Sequence, residues 1–236
     1  MNLKERGIFL FSEGMSAGEL AAAAQHIERL GYGAVWFPEA VGREPVLASS
    51  IVLQNTSRLI AATGIVNIYS RDPMACAMMQ QTLTEQSGGR FLLGLGVSHT
   101  LFVNLRGHDY GKPLATMRSY VDNIAACHKM IAIKTNLAVE GMSEQPLCRD
   151  ERNVMHAAVG AMPIILAALG PKMTALSAQI AQGSHPANTT PEHTAKAREI
   201  LGRGPWLAPM QRVCLTKDAS VARQVGRQLL DRKSVV

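Results

Sequence analysis

The chain has 236 residues, 47% of them hydrophobic and 5% aromatic, which suits one domain with a single large core. Lys and Arg outnumber Asp and Glu by 24 to 18, a net charge of +6, but they are scattered, without a basic run beyond Arg232-Lys233 or interleaved aromatics; this argues against nucleic acid and for a solvated basic surface, with an anionic small ligand as the second reading. No segment reaches the roughly 18 apolar residues of a membrane span, and the run from Ile8 to Phe11 is too short for a signal peptide, so a cytoplasmic chain is expected.

Short apolar strands alternate with helices from the start. A strand is expected over 7–12 and a helix over 17–30, with Leu20, Ala23, Ala24, Ile27 and Leu30 on one face. Gly31 ends that helix, and a strand follows over 34–37. Pro45 opens a helix, and 59–68 reads as the next strand. Asp72-Pro73 supplies an N-cap with proline at the first helical position, starting a helix that reaches Ser87. A buried strand over 91–95 comes next. Pro113 begins a long helix striped by Leu114, Met117, Val121, Ile124, His128 and Ile131, and the pattern weakens into a polar insertion over 134–162. Strands are expected over 163–169, 183–187 and 211–216. Helices are expected from Gly170-Pro171, from Thr190-Pro191-Glu192 to Gly202, and over 220–230. Seven β–α units with non-alternating apolar strands indicate a parallel sheet covered by helices, as either an open doubly wound sheet or a (β/α) barrel. An eighth unit is not visible.

In either architecture, ligands bind in loops at the carboxyl ends of the strands. Those loops carry Glu39 after the second strand, Gly64 and Ile65 within the third, and Val97, Ser98 and His99 after the fourth. After the fifth come Gly170, Pro171 and Lys172, where free N–H groups and the helix dipole favour an anion; an ordinary helix start is the alternative. Glu39 reads equally as a site carboxylate or a solvated loop residue. Gly94-x-Gly96 lacks the third glycine of a dinucleotide fingerprint, since His99 stands there, and it follows the wrong strand. Ser98, His99 and Asp72 lack the nucleophile elbow of a hydrolase. His99, His108, Asp109, His185 and His193 show no metal-ligand spacing, and His128 reads as a core histidine. Cys76, Cys127, Cys148 and Cys214 form no C-x-x-C pair and are expected as reduced thiols.

Several of these stretches together resemble the bacterial-luciferase-like superfamily: Gly31-Tyr32-Gly33-Ala34-Val35-Trp36, Thr63-Gly64-Ile65-Val66-Asn67, Arg71-Asp72-Pro73, and Ser87-Gly88-Gly89-Arg90-Phe91 through Gly94-Leu95-Gly96. Arg106-Gly107-His108-Asp109-Tyr110 and Ala168-Leu169-Gly170-Pro171-Lys172 resemble its branch that uses coenzyme F420, an 8-hydroxy-5-deazaflavin. The resemblance implies a single (β/α)8 TIM-type barrel over 1–236, truncated after seven units. It implies an oxidoreductase moving a hydride between the deazaflavin and a small organic substrate, in a homodimer. An FMN-dependent monooxygenase and a shortened, non-catalytic flavin-binding homologue are the alternatives. Gly64-Ile65 occupies the family's non-prolyl cis bulge behind the ring, with Val97 and Ser98 beside it. Gly170, Pro171 and Lys172 match part of its phosphate cradle. Glu39 and His99 match an acidic and a proton-handling position, and no metal is implied. The chain departs from the family at Ala40, where a histidine is common, and at Gln182, where Ala-Asp-Gly is usual.

Overall fold

The computed structural model describes residues 1, 3, 5–142 and 162–231. In chain order these form β1 (Gly7–Phe9), α1 (Ala17–Arg29), β2 (Ala34–Phe37), α2 (Pro45–Asn55), β3 (Ile60–Thr63), β4 (Val66–Asn67), α3 (Pro73–Ser87) and β5 (Phe91–Gly96). There follow α4 (Thr100–Leu105), α5 (Pro113–Met142), β6 (Ile164–Leu166), α6 (Pro171–Ile180), β7 (Gly183–Ser184), α7 (Pro191–Leu201), β8 (Trp206–Leu207) and α8 (Ala219–Asp231). The strands pair in parallel in the order β1-β2-β3-β5-β6-β7-β8, and β4 continues the β3 position along β5. There are thus seven strand positions. His185, just past β7, stacks on Trp36 of β2 with ring centroids 4.4 Å apart. Residues so distant in strand order meet only if the sheet curls. The architecture is the expected TIM-barrel type, open between β1 and β8; among the described residues no strand pairs with the outer edge of either.

The period of two along each strand divides the core. Val35, Phe37, Ala61, Leu93, Leu95 and Leu166 pack outward against Leu20, Val52, Leu83, Met117 and Leu176 of the helices. Ala34, Trp36, Ile60, Ala62, Leu92 and Ile165 form the inner cluster. Each large side chain buried in this way contributes about 1.5–3 kcal/mol.

The helix starts follow from capping. Ser16 and Glu19 make a reciprocal capping box on α1, Asp72 accepts the Ala75 N–H at 2.9 Å on α3, and Thr190 caps α7. Gly88 and Gly89 both take left-handed φ values, 61° and 89°, which turn α3 back toward β5. Arg90 then donates to the carbonyls of Leu53, Leu59 and Ser87. The Ser-Gly-Gly-Arg stretch is therefore a staple at the amino end of β5, opposite the ligand loops. Buried Gln80 of α3 donates to Pro163 O and accepts from His128 Nε2 at 3.1 Å, so His128 joins α5 to α3 as a core residue.

The expected seventh strand is displaced. The ladder lies at 206–210, where Trp206, Ala208 and Met210 donate to Gln182, Ser184 and Pro186, and not at 211–216. Asn188 explains the shift: its φ of 53° turns the chain away just after the Ala187–Met210 bridge, ending the partner strand. Beyond that point Val213 and Leu215 are 91% and 105% exposed. The helix from Pro113 continues past residue 134 to Met142; the rest of the expected insertion, 143–161, lies outside the described residues, as does Cys148.

Candidate functional site

The loops after β4, β5 and β6 lie side by side, because Asn67 pairs with Gly96 and Ala167 donates to Leu95 O at 2.8 Å. Between β3 and β4 the Gly64-Ile65 peptide is cis, at the position the resemblance implied. This segment crosses β5 very closely. A Cβ on Gly94 would lie 1.9 Å from Thr63 O, and one on Gly96 would lie 2.5 Å from Ile65 Cδ1. Thr63 Oγ1 fixes the crossing by accepting from Gly94 N–H at 2.8 Å and donating to Gly94 O at 2.9 Å. The Gly-x-Gly spacing therefore serves strand approach within β5.

Glu39 secures the same bulge from the other side. Its N–H donates to Ile65 O, and its carboxylate accepts from Asn67 N–H at 2.6 Å and Ser70 Oγ at 3.0 Å. Arg71 Nη1 lies 3.0 Å from both carboxylate oxygens, and Arg106 Nη1 stands 4.0 Å away. Arg71 also pairs with Glu44, the N-cap of α2, while Tyr120 donates to Arg71 O at 2.8 Å. Only 10% of the Glu39 side chain is exposed, so three donors and the more distant Arg106 cation hold a nearly enclosed carboxylate. What this arrangement does is fix the 64–71 wall of the mouth.

Ser98 takes φ 58°, uncommon for a residue with a side chain, and delivers His99 to the N-cap of α4. The His99 side chain is exposed, makes no cap bond, and meets Phe102 edge-on at 6.2 Å. Tyr69 stacks near Tyr110 at 6.0 Å and donates to Tyr110 O at 2.6 Å; burial raises both phenol pKa values, so both hydroxyls stay protonated. After β6, Gly170 caps α6 with no side-chain acceptor, whereas α1, α2, α3 and α7 each have one. Among the described residues no side chain caps the first turn of α6, which leaves its donors to an anion, and Lys172 adds a cation beside them. His193 Nε2 donates to Leu169 O at 2.7 Å, tying α7 to this loop.

The interior below the mouth holds one residue that sequence reasoning passed over except as a metal ligand. His185 is 5% exposed, stacked on Trp36, with Nδ1 2.6 Å from Ala208 O. Burial pushes its pKa down. A cavity of about 240 Å³ lies beside it, lined by Phe9, Trp36, Leu207, Met210 and Gln211. Among the described residues no cluster of three or more metal-ligating side chains occurs, and no helix is long and apolar enough to cross a membrane.

The sequence model of the luciferase-like monooxygenase family matches residues 4–220. A Mycobacterium tuberculosis protein provisionally named a coenzyme F420-dependent oxidoreductase is 33% identical over 193 residues, 79% of this chain and 55% of that protein. The 5,10-methylenetetrahydromethanopterin reductase of Methanolobus tindarius is 27% identical over 220 residues, 89% of this chain and 65% of the reductase. The chain spans less than two thirds of either relative. Among solved structures, the oxygenating constituent of 3,6-diketocamphane monooxygenase from Pseudomonas putida, in complex with FMN, superposes with a TM-score of 0.61 at 13% identity. That match covers 84% of this chain and 61% of the other, and it shows a shared fold.

Proposed function

Because the chain belongs to the luciferase-like monooxygenase family, we propose that it is an oxidoreductase that seats coenzyme F420 at the strand-end mouth and transfers a hydride to or from a small organic substrate. The observation that carries this reading is the juxtaposition of a glycine-crossed bulge at 64–65 with the uncapped amino end of α6, one strand position beyond β5. The first suits a flat ring and the second its anionic tail. The relative named for coenzyme F420 supports the choice of ring. When bound, the deazaflavin supplies the ring carbon that gives or accepts the hydride.

This chain's residues do the rest. Gly64 and Ile65 back the ring, and Val97 and Ser98 border it. Gly170 and Lys172 hold the phosphate-bearing tail through backbone N–H groups and one cation, and Pro171, which has no N–H, sets the start of the helix between them. His99, exposed at the rim, exchanges the compensating proton with the substrate. Glu39 keeps the bulge and the 67–71 loop in place, so its part is to position the ring's backing. The same α6 turn suits the single phosphate of FMN, which makes an FMN-dependent monooxygenase the second reading.

Fluorescence titration of the purified chain with coenzyme F420, and separately with FMN, tests the proposal. Saturable quenching by the deazaflavin, tighter than by FMN, is expected. Tighter FMN binding moves the assignment to the monooxygenase reading. Binding of neither up to high micromolar concentration defeats both.

A further inference from the structure

His185 follows β7 and is anchored by its N–H to Leu166 O at 2.8 Å. Its ring lies nearly parallel to Trp36, at 4.4 Å and 10°, and to Phe9, at 6.2 Å and 15°. These two aromatic neighbours hold the plane of the ring. A carbonyl oxygen only accepts, so the 2.6 Å contact with Ala208 O places a proton on Nδ1. Burial keeps the ring neutral. Nε2 is therefore a bare lone pair. It is buried, and among the described residues no donor hydrogen-bonds to it.

Its surroundings give that lone pair a direction. A Cβ built on Gly64 would stand 3.0 Å from Nε2 and 2.9 Å from Phe9 Cε2. The nitrogen thus faces the floor of the Gly64-Ile65 bulge, where only a residue without a side chain leaves room. Buried acceptors in folded proteins are almost always satisfied, and an unmatched one points to a partner outside the chain.

We propose that His185 is a ligand-binding residue whose Nε2 accepts a hydrogen bond from an N–H or O–H on the edge of a flat conjugated ring seated against Gly64-Ile65. Flavins and deazaflavins carry such a donor in their imide N–H, and the assignment rests on the functional reading above only for the identity of that ring. Ordinary imides of the uracil type present the same donor without the tricycle. His185 thereby sets the depth and in-plane orientation of the ring, a task separate from proton exchange at His99.

The experiment follows the His185 Nε2 resonance in protein labelled with 15N-histidine, assigned by comparison with His185→Phe. Titrants are coenzyme F420, FMN and uracil, each alone. A bare imidazole nitrogen that gains a donor moves upfield, and such a shift on saturation is the expected result. His185→Phe keeps an aromatic ring on Trp36 but removes the acceptor. Its affinity for the tricyclic ring is expected to fall about tenfold, the factor that 1.4 kcal/mol represents, in keeping with one donor left unmatched. Tight binding with the Nε2 resonance unmoved overturns the assignment and leaves a bound water as the acceptor's partner. A shift with uracil alone keeps the assignment and defeats the cofactor reading. No shift with any titrant overturns it outright. If His185→Phe does not fold, the wild-type resonances decide the matter.

Discussion

Replacing Glu39 by alanine removes the acceptor shared by Asn67 N–H, Ser70 Oγ and Arg71. Removing one partner of a fully buried pair costs roughly 3–5 kcal/mol, chiefly because the other charge is stranded. Here the stranded Arg71 side chain is 18% exposed and keeps Glu44, which is itself more than a third exposed. Solvent and that second partner recover part of the loss, leaving about 2–3 kcal/mol. For a chain of this size each kcal/mol lowers Tm by about 2–4 °C, so the fall is roughly 4–12 °C. Glu39→Gln keeps an oxygen for Asn67 N–H but loses the charge and the second acceptor that faces Ser70 Oγ, so its fall is smaller than that of Glu39→Ala. Urea unfolding of Glu39→Ala, Arg71→Ala and the double variant measures the coupling directly. The double variant is expected to be more stable than the sum of the singles predicts, by at least about 0.5 kcal/mol. Strict additivity, or a Glu39→Ala chain within about 0.5 kcal/mol of wild type, would refute the clamp.

Three further outcomes are expected. Gly94→Ala puts a methyl 1.9 Å from the Thr63 carbonyl and unfolds or precipitates the chain, whereas Gly18→Ala, in open space on α1, stabilises it by about 0.5–1 kcal/mol; equal unfolding midpoints for the two would contradict the crowding at Gly94. Burial tends to raise the Glu28 carboxyl pKa, but the Arg58, Leu59 and Ser57 N–H donors outweigh it and hold the group below its usual 4.5. Its stabilisation is complete above the unfolded value and disappears as pH falls through the native one, so Glu28→Gln should show a flatter acid limb than wild type in unfolding free energy below pH 4.5; parallel curves would count against it. Lys172→Ala should weaken binding of the phosphate-bearing cofactor about two- to fivefold in low salt, with the difference shrinking as ionic strength rises; an unchanged affinity at low salt would remove Lys172 from the cradle.

Much of the helical framework was legible because caps are local. Asp72 with Pro73 and Thr190 with Pro191 each mark a start within two residues, and both caps formed as expected; the Ser16–Glu19 box on α1 is equally local but was not read. The misplaced strand shows the opposite case. Val213 and Leu215 have the side chains of a buried strand, but their ladder partner has already turned away at Asn188. No local pattern carries that information. Gly94-x-Gly96 is similar, since its reason is the approach of Thr63 O from another strand. Glu39 read either way because its donors lie 28 to 32 residues further on. The departure at Gln182 is reconciled by its contact: its side-chain oxygen accepts Ile164 N–H at 2.6 Å, work that an amide does as well as a carboxylate. His185 was legible only as an isolated histidine, because its bare nitrogen is defined jointly by Ala208, Trp36 and Gly64.

The central claim is that the mouth beside β4, β5 and β6 receives the ring. Methyl NMR of the wild-type chain, with and without saturating coenzyme F420, tests it most directly. The account predicts large shifts at Ile65, Val97 and Leu169 and none at Leu20, buried beneath α1, or at Ile200 on the exposed side of α7. Shifts confined to Val213 and Leu215, or the absence of any at Ile65, would contradict it.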